Sequence, residues 1–383
     1  NRHRKGAVTP LVAILMVFLL AMVAFGVDLG YIAVSQKEVQ NAADSAALAG
    51  TSQLLDRGRL KGTPNQALAI SNARTAAQQF SVKNTGGGVA LQLDTNASND
   101  TTGDLVCGYL VTPSDLSSSL DTSAANYNSV QARVRRTAAQ NGALKLFFGS
   151  VIGRSTQDLT AKATATYEGG FGVTGFKFTG TSATTAPLLP FTLDINAWNN
   201  VLSGNGPDDY AYDPVAQKVS SGSDGIHEFN LFPQKGISSG NMGTVDLGSP
   251  NNSTADISRQ IRYGLNAYDL SFFPNNQIVL GQNGTLSVQG DTGVSAGFKD
   301  DLAAIIGQKR IIPIYQPPTT GSGNNTTYTI VAFGGISILD VSLTGLDKKL
   351  IVQPEYVITQ TVITNGSNGG TNSFIYKPLK LTR

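Results

Sequence analysis

Side chains able to run catalysis or hold a metal are sparse in this sequence. His3 and His227 are the two histidines, too few and too far apart for a histidine-based metal site. With His227 the sole histidine beyond the N-terminal stretch, a Ser-His-Asp triad is not expected. The single cysteine, Cys107, cannot form an internal disulfide. Close to Val106 and Tyr109, it reads as a small core residue. Asp208, Asp209, Asp213 and Asp224 fall in a Gly/Asn/Asp/Ser-rich stretch from Ser203 to Pro250. Carboxylates among such loops are calcium ligands, so a structural calcium is the one cofactor the pattern allows. Their spacing does not match an EF-hand loop, and ordinary turns are the other reading. Gly290-Asp291-Thr292-Gly293 ahead of a helical pattern, Val294 to Ile306, is a turn of the kind that holds phosphate, but no Gly-Lys-Ser/Thr follows it. A nucleophile elbow, a P-loop, a dinucleotide fingerprint and a Cys/His cluster are all missing from the sequence. The chain does not read as an enzyme.

Its elements point elsewhere. The 383 residues carry only 14% charged side chains and a net charge of +2, so bulk charge gives no reason for a nucleic-acid partner. Forty-two glycines, with abundant Asn, Thr and Ser, favour strands, turns and polar loops over helical bundles. The exception is the N-terminus. Arg2, Arg4 and Lys5, with His3, form a basic cluster, and Ala7 to Val27 then carries no charge. That run meets the ~20 apolar residues a helix needs to cross a bilayer. Basic residues ahead of it favour a cytoplasmic N-terminus, leaving everything after Asp28 outside. A cleaved signal peptide has a shorter apolar region. Here the pattern continues through Val34 to Gln40 into Ala42, Ala43, Ala46, Ala47 and Ala49, all favourable to helix. The spacing predicts one helix from Val8 to about Asp56, with Pro10 tolerated near its start. Because the sequence starts at Asn1, a removed leader is one expectation. Val8, Leu11, Ile14, Leu15, Phe18, Leu19, Met22 and Phe25 are the membrane or assembly residues of its first part. Ala42, Ala46 and Ala49 form a small-residue face in its second. Such a face allows close helix approach. It serves either to dock on the chain's own β structure or to join copies of the helix.

Arg4-Lys5-Gly6-Ala7-Val8, the apolar span, Val27-Asp28-Leu29-Gly30, and Gln40-Asn41-Ala42-Ala43-Asp44-Ser45-Ala46-Ala47-Leu48-Ala49-Gly50 together resemble the N-terminal region of TadE/TadG-like proteins of the tight-adherence (Tad, or Flp) pilus machinery. A second stretch, Ala132 to Thr137, then Leu146-Phe147-Phe148-Gly149 and Gly153, then Ala161 to Ala165, is similar to a further region of that family. The resemblance implies an inner-membrane or periplasmic pilus component, or a pseudopilin-like subunit, with copies of itself or other Tad components as partners. Type IV pilins carry Glu at the fifth mature position, where this chain has Lys5. If Asn1 is the mature start, any assembly contact must differ there. Some TadG-like proteins carry an Asp-x-Ser-x-Ser metal motif. Asp115-Leu116-Ser117-Ser118-Ser119 matches the string, but it follows Pro113 in a Ser-rich turn and lacks the glycine and methionine that accompany the motif, so a polar loop is expected.

The expected fold class is α+β: the long apolar helix (1–56), a mixed α+β unit (57–170), and a β-rich, sandwich-like C-terminal region (171–383) with two short helices. Asn65 to Phe80 reads as an amphipathic helix, and Val89, Leu91 and Leu93 as a strand. Asn-x-Ser/Thr triplets at Asn96, Asn99 and elsewhere read as turn composition. Taken together, these features predict a structural subunit of an extracellular filament or Tad-like pilus. The helix would sit in the membrane before assembly, and the chain would end at the cell surface. The alternatives are an inner-membrane-anchored envelope protein that assists pilus assembly, or a tethered glycan-binding protein.

Overall fold

The computed structural model describes residues 8–178, 185–233, 243–249, 253–292, 294–321, 325–345, 348–366 and 371–382. Arg2, Arg4 and Lys5 lie outside these residues. The architecture is α+β: one long apolar helix followed by a chain rich in short sheets. It divides into two compact units. The first comprises residues 1–54, 67–166 and 379–383. The second comprises residues 55–66 and 167–378.

In the first unit, helix α1 runs Val8–Ser52 without a break, about 70 Å at 1.5 Å per residue. Helix α2 follows at Gln66–Ser81, one residue from its expected start. Four antiparallel strands form the unit's sheet in the order Lys380–Leu381, Leu159–Thr166, Ser129–Arg136, Leu105–Gly108. Alternation sends one set of side chains inward. Val130, Ala132 and Val134 on one strand stand in register with Ala165, Ala163 and Ala161 on the next. Those six residues, with Val39, Ala42, Ala43, Ala46 and Ala47 of α1 and Ala73 and Ala77 of α2, form a single buried core.

The Val89–Leu93 strand is only partly realised. Val89–Ala90 pairs with Thr85–Gly86 in a two-residue hairpin, and the pairing stops after one further bond from the Leu91 N–H to the Asn84 carbonyl at 3.2 Å. The backbone amides of Gln92 and Asp94 go instead to the side chains of Asn141 and Asp104, at 2.9 Å each. Leu91 and Leu93 remain buried, so the alternation was real while the ladder was not.

In the second unit the centre is the strand Thr326–Ser342. It pairs with Leu286–Thr292, Lys309–Tyr315 and Lys349–Pro354 in a seven-stranded sheet. A three-stranded sheet of Gln277–Val279, Val173–Lys177 and Val362–Thr364 lies beside it in the same core. Phe176 and Phe333 meet there edge to face at 4.9 Å. The expected helix from Val294 is shorter than its pattern, a turn at Ala296–Phe298 and then Lys299–Ala303. Ser253 caps the Thr254–Tyr263 helix as its type suggests. Asn266 caps the next short helix, Ala267–Leu270, with a reciprocal Asp269 contact.

Candidate membrane and assembly interface

The first part of α1 is bare. Val8, Leu11, Ile14, Leu15, Phe18, Leu19, Met22 and Phe25 are each more than half exposed, and residues 8–23 are exposed on every side of the helix. A uniformly apolar helical surface of this length is stable against lipid or against other helices, not against water. By length and composition it can cross a membrane.

The change comes at Asp28. From there burial follows one stripe: Asp28, Ser35, Val39, Ala42, Ala43, Ala46, Ala47 and Gly50. That 3–4 spacing is the face of an α-helix laid on a surface. Asp28 itself is 5% exposed. Its two carboxylate oxygens accept the backbone N–H groups of Phe147 and Phe148, at 2.8 and 3.0 Å. One turn on, the Tyr31 hydroxyl donates to the carbonyl of Gly87, and two turns further the Glu38 carboxylate accepts the Gly87 N–H at 2.7 Å. Gly87 has φ +57°, and a Cβ there would stand 2.3 Å from Leu144, so this clasped turn requires glycine. Further along, the Gln36 amide donates to the Thr160 carbonyl and the Thr51 hydroxyl to that of Ala165, fixing the helix along one strand.

The residues singled out by sequence therefore separate into two groups. The eight apolar residues of the first part form one exposed surface. Ala42 and Ala46 are fully buried and Ala49 is half-buried, on the unit's own sheet and on α2. Small residues on both sides let helix and strand approach closely. At Gly50 an added Cβ would meet the Ala73 carbonyl and Val130 at 3.1 Å. The Asp28 clip was not foreseen. Its only signal was a lone carboxylate ending a charge-free run.

The other candidate ligands are engaged locally. Asp115 accepts the Ser117 N–H and hydroxyl within its own turn. The Asp208 carboxylate accepts the amides of Asp224 and Gly225, and Asp213 those of Val215 and Ala216. Among the described residues, no cluster of three His, Cys, Asp or Glu side chains is placed to hold a metal. In the second unit a cleft of about 710 Å³ is lined by Asp194, Asn196, Asn200, Asn205, Glu228 and Asn230. Burial holds the Glu228 carboxyl above its ordinary range, against the opposing pull of the Asp209 and Tyr210 amides that it accepts.

Comparison with known families matches two regions. Residues 6–53 match a family described as putative Flp pilus-assembly TadE/G-like. Residues 35–165 match one described as putative Tad-like Flp pilus-assembly. Together the matches span α1 and most of the first unit's sheet, and neither description names a reaction. No curated protein and no solved structure matches the chain.

Proposed function

We propose that this chain, a pilus-assembly-related protein of the Tad type over residues 6–165, is an envelope component held in the inner membrane by α1, with everything after Asp28 exported. The observation that carries this reading is the abrupt change along one unbroken helix. Every side chain from Val8 to Val23 is exposed, while from Asp28 onward one stripe is buried on the unit's own sheet. A helix of that kind is a membrane span continued directly into a folded unit, with no linker between them. Its role is to hold the exported part at the membrane surface where a pilus is built, without catalysis.

The second reading is a structural subunit of a filament, in which the same apolar surface leaves lipid and packs against copies of itself. Exposure of residues 8–23 around the whole helix favours it, since a filament core surrounds each helix with neighbours. The buried alanine face does not contribute to such packing, so contacts between copies rest on the first part of α1 alone. Both readings use the same residues and differ in stoichiometry. Light scattering on the detergent-purified full chain distinguishes them. A discrete small species is the expected outcome. Open-ended polymers, or a mass that grows with concentration, would transfer the assignment to the filament subunit.

A further inference from the structure

We propose that the loop Phe147–Ile152 is a second membrane contact, inserted into the headgroup–acyl boundary beside α1 on the exported side. The inference rests on the reading of α1 as a membrane span. Four large apolar side chains on this short loop face outward: Phe147 is 64% exposed, Phe148 45%, Val151 85% and Ile152 71%. A cluster of that size at the tip of a hairpin is anomalous on a surface meant for water. Its position explains it. Phe148, Val151 and Ile152 line a small apolar cleft whose other wall is Ala21, Ala24 and Phe25 of α1. The tip is therefore continuous with the exposed apolar helix surface.

Depth and charge agree. Ala21 lies seven residues before Asp28, about 10 Å further into the membrane at the helical rise. Interfacial segments bury their apolar side to roughly 5–10 Å. The loop is built to hold this pose. Asp28 fixes the amides of Phe147 and Phe148. The Tyr31 and Phe147 rings meet at 4.9 Å. The Arg154 amide closes the tip on the Gly149 carbonyl at 2.8 Å. Just behind the tip, Lys145 and Arg154 are exposed, and long basic side chains in that place can reach lipid phosphates. An apolar tip above a basic collar, seated against a membrane span, fits a lipid surface. Inserting it fixes the rotation of the first unit about the axis of α1.

The test uses the full chain in proteoliposomes, with single cysteines carrying an environment-sensitive fluorophore. The native Cys107 is buried and stays unlabelled. Val151→Cys probes the loop, Leu15→Cys the middle of the span, and Val215→Cys, at a residue 92% exposed in the second unit, reports water. The expected result is a blue-shifted Val151→Cys label that loses most of its emission to lipids with a doxyl group near the headgroup. Leu15→Cys loses more to a doxyl group near the chain end. Val215→Cys responds only to aqueous iodide. A Val151→Cys label that behaves like Val215→Cys, while Leu15→Cys remains lipid-quenched, overturns loop insertion and leaves the span intact. Absence of lipid quenching at both positions overturns both. Protection of Val151→Cys that grows with the protein-to-lipid ratio, without lipid quenching, assigns the loop to a second copy and overturns the lipid contact.

Discussion

Asp28 ends the apolar run and accepts two backbone amides from a loop more than a hundred residues away. Asp28→Ala leaves both N–H groups without their acceptor at a partly buried site, a loss of about 1–3 kcal/mol at most. The expected outcome is a lower thermal midpoint of the detergent-solubilised chain, with faster hydrogen exchange at Phe147 and Phe148. Unchanged exchange at those two amides would contradict the clip. Cys107 gives a second residue-scale expectation. Burial raises its thiol from 9.0 to about 11, against a smaller lowering from Arg74. Burial likewise raises Tyr212 and Tyr328 from 10.0 to about 12. Each folded-state value lies above its unfolded value. The stability these protonated groups contribute is therefore complete below about pH 9 and is lost as pH rises through 11 and 12. Urea midpoints should hold between neutral pH and about pH 9 and fall above it. The Cys107 thiol should stay inert to disulfide reagents until urea unfolds the first unit. Modification of the folded chain at mildly alkaline pH would contradict its burial. Its core position was readable from its neighbours in sequence, since a lone cysteine beside Val and Tyr is usually packed. The Asp28 contact was not, because it depends on a partner fixed only by the fold.

At the scale of elements, α1 was the most legible part of the chain. Its composition gave the start at Val8 and an end within a few residues of Ser52. The sequence left open what its alanine face touches, because a small-residue stripe fits a strand as well as a helix. The structure puts it on alanines of the neighbouring strand, Ala161, Ala163 and Ala165. Two surfaces of small side chains leave no spare volume. Ala46→Leu should therefore overpack the interface and cost about 1–3 kcal/mol, read as a drop in urea midpoint. Val17→Leu, on the exposed span, should stay within about 0.5 kcal/mol. Equal effects at the two positions would contradict the division of α1 into a free part and a docked part. Short strands were the least legible elements. Val89–Leu93 and Phe374–Leu381 alternate as strands do, yet only residue pairs within them join ladders. Side-chain amides and carboxylates of Asn141 and Asp104 take over the first of these segments, a long-range substitution that periodicity does not report.

For the whole molecule, the sequence conveyed the class, a long apolar helix followed by β-rich structure, and the resemblance to Tad proteins over its first part. It did not convey that the final residues, Lys380–Leu381, return to the first unit's sheet beside Leu159–Thr166, since strand pairing across that separation leaves no local trace. Removing residues 7–27 should yield a water-soluble chain that keeps both cores, because the described residues among them, 8–27, contribute to neither. Persistence of the truncated chain in washed membranes would show another anchor. The proposed function requires that α1 cross the membrane with the rest of the chain outside. Labelling of full-length Val215→Cys in intact spheroplasts with a membrane-impermeant maleimide tests it most directly, since Cys107 is buried and Val215 is open to solvent. Full labelling before lysis is the expected result. Labelling only after the membrane is broken would contradict it.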